Sequence, residues 1–208
     1  MQALSVGESI QFGWETFKKR PWFFIGVVLA VVILSSILTS LAEENPRDLF
    51  AILVSLAVLV IHIFIEMGLV SFALKAHDGV EKATFHDLWH PHSFWKYVGV
   101  KILTGIIIVI GLILLIVPGV IAILTLLFAT YLVIDRNLGP IEAMKESARM
   151  TKGHRWNLFL LILALLGINI LGAIALLVGL LVSIPVSILA VAHAYRTLAG
   201  NAGVATVA

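Results

Sequence analysis

From Ile102 to Ile134 the chain carries no charged side chain. A straight helix over that stretch would be about 50 Å long at 1.5 Å per residue, and the hydrocarbon core of a bilayer is only about 30 Å thick. A run this apolar belongs in lipid, and one this long has to fold back. The rest of the chain agrees: 61% of its 208 residues are hydrophobic and 12% are charged, with a mean hydropathy of +1.08. A soluble domain is about half apolar and about a quarter charged. The expected fold is therefore an all-α polytopic membrane bundle, a single domain over residues 1–208.

The same ruler divides the remaining sequence. Six transmembrane helices are expected at about 22–41, 49–74, 97–117, 119–134, 157–178 and 183–197. Pro118 and Gly119 mark the break between the third and fourth, because proline lacks the interior helical donor and glycine tolerates the turn. Gly172, Gly179 and Pro185 offer the break between the last two. The turn is expected from Gly179 to Ser183, with Ser183 as N-cap and Pro185 in the first turn of the sixth span. The first apolar run follows Lys18, Lys19 and Arg20 but starts late and ends at Glu43 and Glu44 without a small-residue cleavage site, so it reads as a span and not as a signal peptide.

Charge sets the orientation. The formal charge is +2 and the pI about 9.0, and the basic residues fall on one side of the expected spans. Lys18, Lys19, Arg20, Lys75, Lys82, Lys96, Lys101, Arg136, Lys145, Arg149, Lys152, Arg155 and Arg196 share that side, with Arg47 opposite. The positive-inside rule then puts both termini in the cytoplasm of a prokaryote, with the chain in its inner membrane. This explains the basic pI without a nucleic-acid partner. The expected partners are membrane lipids and a protein partner or further copies of the chain. Cysteine is absent, which excludes disulfides and thiolate chemistry.

Each pair of spans follows a short segment with helical spacing of apolar residues. Before the first, Ser5 and Glu8 form a capping box, and Val6, Ile10, Trp14 and Phe17 make one face. Before the third, Pro140 starts a helix whose face is Ile141, Met144, Ala148 and Thr151, with Gly153 as its stop. The middle example is Thr84 to Pro91. Each leads into a basic and aromatic entry to the bilayer, marked by Trp22, Trp95 and Trp156 at headgroup level. The expectation is three copies of an interfacial amphipathic helix followed by a hairpin, spaced unevenly at 73 and 61 residues between those tryptophans.

The stretches LSVGESIQFGWETFKKRPWFF, PGVIAILTLLFATYLVIDRNLGPIEAMKESARMTKGHRW and GLLVSIPVSILAVAHAYRTL resemble the membrane domain fused to some glycerophosphodiester phosphodiesterases, and its stand-alone YciC-like relatives. The likeness covers nearly the whole chain. It is most specific at Pro118-Gly119, Asp135, Glu142-Ala143, Ser147 and Thr151-Lys152-Gly153. The resemblance implies a membrane module and no particular chemistry, since the fused relatives owe their activity to a soluble domain that is not expected here.

Several polar residues are candidates for function. His62 and Glu66 lie four apart on one face of the second span, deep enough that an interior position is expected. Lys101 enters the third span at similar depth and is a partner for Glu66. Asn169 and His193 are isolated polar residues, read as interhelical hydrogen-bonding groups. His86, His90 and His92 form a histidine-rich stretch, but Pro91 interrupts the helix that would align the first two and no second metal-spaced cluster accompanies them. The expected metal set and cofactor are none, and no hydrolase, P-loop or dinucleotide fingerprint occurs. The leading functional expectation is a non-enzymatic membrane module that binds lipid or scaffolds partners. The alternative is a small transporter or channel using Glu66 and His62.

Overall fold

The computed structural model of the chain describes residues 4–43, 49–79, 81, 93–175 and 178–205, and no strand occurs among them. In chain order the helices are α1 (Val6–Lys19), α2 (Pro21–Glu43), α3 (Leu49–Asp78), α4 (Phe94–Leu114), α5 (Ile116–Leu126), α6 (Ala129–Arg136), α7 (Pro140–Thr151), α8 (Arg155–Ile174) and α9 (Leu180–Ala205). α3, α4, the α5–α6 pair, α8 and α9 each provide a stretch long and apolar enough to cross a bilayer. α2 adds a sixth when its whole length is counted. The protein is a multi-pass helical membrane bundle. The chain bends by 98° between α1 and α2.

Both expected hairpin breaks need correcting. The first falls at Leu115, whose backbone is extended (φ −166°, ψ 151°), three residues before Pro118. Pro118 sits instead in the first turn of α5, where a missing N–H deprives the helix of nothing. Gly119 serves contact and not the turn: a Cβ there would lie 2.9 Å from the amide nitrogen of Leu112, and one on Gly111 would lie 3.0 Å from Gly119 Cα. The second break also comes early, because α9 has already begun at Leu180; Ser183 is inside the helix and Pro185 is an interior proline. The glycine contact recurs there, since a Cβ on Gly179 would lie 2.7 Å from Gly172 Cα. Small residues let helix backbones touch where lipid supplies no hydrophobic drive between them.

The expected fourth span is broken at Leu127 and Phe128 into α5 and α6. A broken helix in a membrane exposes backbone groups that cost several kcal/mol each if left unpaired. α7 satisfies them. Ser147 Oγ accepts from the Phe128 amide at 3.2 Å and donates to the Thr125 carbonyl at 2.8 Å. Thr151 Oγ1 donates to the Ser147 carbonyl at 2.9 Å and approaches that of Thr125 at 3.3 Å.

This contact turns α7 away from the expected orientation. Its buried residues are Ala143, Ser147, Met150 and Thr151, and Ile141 is exposed. α1 departs in the same sense: Ser9, Gly13, Thr16 and Phe17 are buried, and Trp14 is exposed. Small side chains join Phe17 and Met150 on these buried faces because α1 and α7 approach backbone. A Cβ on Gly13 would stand 2.5 Å from the carbonyl oxygen of Val186 in α9.

The two helices are related without a gap. Adding 134 to the number of each buried residue of α1 gives the buried residues of α7, and the same shift takes Ser5 to Gly139, Glu8 to Glu142 and Trp22 to Trp156. A shift of 61 takes Trp95 to Trp156 and Gly111 to Gly172, and because Gly172 and Gly179 are seven positions apart where Gly111 and Gly119 are eight, a shift of 60 takes Gly119 to Gly179 and Arg136 to Arg196. The Thr84–Pro91 segment, with His86, His90 and His92, lies outside the described residues, as does Arg47.

Candidate functional site at the basic end

α3 and α6 end beside Arg196 of α9, at the end of the bundle that carries the basic residues. The main core lies beneath them, built around Met67, Val100, Phe128, Leu132, Leu161 and Tyr195. Arg196 of α9 is the hub. Its Nε and Nη2 donate to the two oxygens of Asp78 at 3.0 and 2.5 Å, and its Nη1 donates to Asp135 Oδ1 at 2.7 Å. The Tyr195 hydroxyl donates to Asp135 Oδ2 at 2.7 Å. A planar guanidinium with five donors can bridge two carboxylates in this way, which a lysine cannot.

A second tier surrounds the hub. Arg136 lies 3.7 Å from Glu146 of α7, and Arg149 approaches the same carboxylate at 2.8 Å. Asn137 ends α6 in the left-handed region (φ 52°), a conformation asparagine adopts more readily than most residues. There it accepts from Lys96 Nζ through its carbonyl at 2.8 Å and its side chain at 2.9 Å, with Ser93 at 3.2 Å. Asn157 of α8 donates to the Leu4 carbonyl at 2.6 Å, which ties the start of α1 to the same end.

His193 is not isolated. Its Nδ1 lies 3.2 Å from Nε2 of His77, and His77 Nδ1 lies 3.2 Å from Asp78. With the carboxylate accepting from His77 Nδ1–H, His77 Nε2 accepts from His193 Nδ1–H, an assignment that the network dictates. Phe12 of α1 lies against both imidazoles, with centroids 4.6 and 4.5 Å away. Beside them lies an open cavity of about 660 Å³, lined by Glu8, Gln11, Glu15, His193 and Thr197 among others.

Of the intramembrane candidates, Glu66 departs from the interior position expected of it, while Asn169 makes the interhelical hydrogen bond expected. Glu66 pairs with Lys101, but the pair does not face the interior: the two side chains are 46% and 44% exposed. The reason is rotational, since Met67, the next residue, takes the core-facing position. His62 does not join them; its Nδ1 is 3.0 Å from the carbonyl of Val58 on its own helix. Asn169 donates to Ser187 Oγ of α9 at 3.0 Å. Among the described residues no group of three potential ligands is placed to hold a metal.

The Arg196 hub was not foreseen from the sequence. Asp135 is the first charge after the long uncharged run, and Arg196 follows a polar pair inside an apolar segment, but nothing in their spacing couples residues 61 apart to Asp78. Chemically, the knot joins the ends of α3 and α6 to α9 through charges that satisfy one another.

A helical bundle with several spans, clasped at its basic end by α1, α7 and an ion-paired knot, is the class of protein defined here. Residues 98–202, half of the chain, match the family described as a protein of unknown function, DUF975, and the chain belongs to that family. Uncharacterized proteins of Mycobacterium bovis and Mycobacterium tuberculosis are 25% identical to it, across 95% of this chain and 69% of theirs. No solved structure matches.

Proposed function

We propose that the chain is a non-enzymatic module of a prokaryotic cytoplasmic membrane, both termini inside, that holds anionic lipid and partner proteins at the inner leaflet. The observation that carries this is where the polar groups lie. Among the described residues the core is apolar, the knot is self-satisfied, and Glu66 with Lys101 opens outward, so no polar path through Glu66 supports conduction. Trp22, Trp95 and Trp156 are 83%, 82% and 68% exposed at the basic ends of α2, α4 and α8. Indole rings favour the headgroup level. Lys18, Lys19, Arg20, Lys152 and Arg155 stand beside them, and a well-placed cation near an anionic surface contributes about 1 kcal/mol. α1 and α7 would lie in this interface, with their small faces on protein and Trp14 and Ile141 toward lipid.

The test is native mass spectrometry of protein extracted from mixed vesicles. Preferential retention of phosphatidylglycerol over phosphatidylcholine is expected, reduced when Lys18, Lys19, Lys152 and Arg155 are changed to glutamine. Solute flux through reconstituted liposomes that Glu66→Gln abolishes would replace this reading by the transporter.

A further inference from the structure

The Glu66–Lys101 pair is the one feature of the spans, among the described residues, that suits neither the core nor lipid. Lys101 stands six residues, about 9 Å of helix, inside the level of Trp95, so acyl chains and not headgroups lie beside it. Its neighbours on α4 confirm the setting: Ile102, Leu103, Ile106 and Ile107 are all exposed. Ionisable side chains at such depth nearly always face protein or a water-filled cavity. Pairing cancels the net charge but leaves the desolvation cost of two ions, which only further polar contacts offset.

A second observation concerns the backbone. Gly105 follows Lys101 by one turn on the same side of α4, and nothing lies within 4 Å of the point its Cβ would occupy. The bundle's other close glycines, Gly111, Gly119, Gly172 and Gly179, each meet a helix backbone within the chain. Gly105, like Gly26 of α2 and Gly167 of α8, meets none, and a glycine left open in this way is where a neighbouring helix can approach most closely.

We propose that the α3–α4 face bearing Glu66, Lys101 and Gly105 is where a second copy of this chain docks, about a twofold axis that sets each Glu66 against the other copy's Lys101. The argument for a second copy is charge complementarity. An acid and a base side by side form a patch that is its own complement under a twofold rotation, because each carboxylate then meets the opposite ammonium. Four alternating charges replace two, and each ion gains a second partner away from lipid. The competing occupant is a phospholipid headgroup, whose phosphate would have to sink about 9 Å below the tryptophan level to reach Lys101. The proposal goes beyond the lipid-holding reading and stands without it.

The chain has no cysteine, so Gly105→Cys introduces a single cross-linking site. In nanodiscs and in vesicles diluted to a few copies each, the full chain carrying Gly105→Cys is expected to form a cross-linked dimer. Adding Glu66→Lys, or separately Lys101→Glu, should lower the dimer fraction at least about tenfold, since like charges then face each other across the axis. Mixing the two reversed chains should restore it, because their patches complement each other again. That rescue separates loss of the interface from loss of folding. Two outcomes would overturn the proposal: dimer formation indifferent to both reversals, or a monomer that retains one phospholipid per chain and loses it on Glu66→Lys. The second would assign the pair to a headgroup.

Discussion

Ser147 occupies the gap that the break between α5 and α6 leaves, donating to the carbonyl of Thr125 and accepting from the amide of Phe128. One hydroxyl thus replaces both halves of an interrupted helical ladder. Ser147→Ala removes both bonds within a buried site, and an unsatisfied buried group costs about 1–3 kcal/mol. A lower midpoint of thermal unfolding in detergent is expected. Thr151→Val should cost less, because the Thr125 carbonyl keeps its bond to Ser147. An unchanged midpoint for Ser147→Ala would remove α7 as the support of the break.

Gly13 tests the other small-residue contact. Its missing side chain leaves room for a backbone carbonyl that cannot swing aside, so Gly13→Leu should detach α1 from α9 without unfolding the spans. Labelling of Ser9→Cys by a water-soluble maleimide measures this. Ser9 is buried, so its labelling should be slow in the parent chain and fast in the Gly13→Leu background.

Arg196 is expected to be more sensitive than either carboxylate it bridges. Arg196→Met leaves Asp78 and Asp135 without their shared cation, and hydrogen bonds to charged groups contribute about 1.5–3 kcal/mol. Arg196→Lys should recover only part of the loss, since an ammonium cannot fork between two acids. Asp78→Asn should be milder, because that carboxylate is half exposed and surface pairs contribute little. Equal losses for Asp78→Asn and Arg196→Met in denaturant melts would contradict the hub.

Topology gives the cleanest measurement. Single cysteines at Lys19, Lys152 and Arg196 should be shielded from an impermeant reagent in intact cells, and one at Arg47 should react. External labelling of Lys152→Cys would reverse the proposed orientation.

Much of the architecture could be read from the chain because lipid imposes a length scale. The uncharged run from Ile102 to Ile134 had to be a hairpin, and Gly153, with its φ of 86°, did stop α7. The details that escaped share one cause: contact between backbones is invisible to hydropathy. Pro118 and Gly119 look like a turn, yet the glycine is there for Gly111. Val6, Ile10, Trp14 and Phe17 read as the apolar face of an interfacial helix, yet Ser9 and Gly13 are buried with Phe17 while Trp14 is exposed, because the small residues let α1 meet the backbone of α9. The break at Leu127 and Phe128 carries no glycine or proline, since the residues that make it tolerable, Ser147 and Thr151, lie about twenty positions downstream. Candidate site residues fared less well. Glu66 and Lys101 could be paired by depth alone, but which side of α3 and α4 they occupy depends on how each helix rotates toward its neighbours.

The shift of 134 residues between α1 and α7 has a consequence in time. α7 docks on α5 and α6, which are made just before it, so that contact can form as soon as α7 leaves the ribosome. α1 makes the corresponding contact with α9, which is made five crossings later. The first segment of the chain therefore waits through five further crossings before its own partner exists, exposing Ser9, Gly13 and Thr16 meanwhile. A chain cut before α9 would therefore carry an α1 whose small face has no Val186 carbonyl to meet.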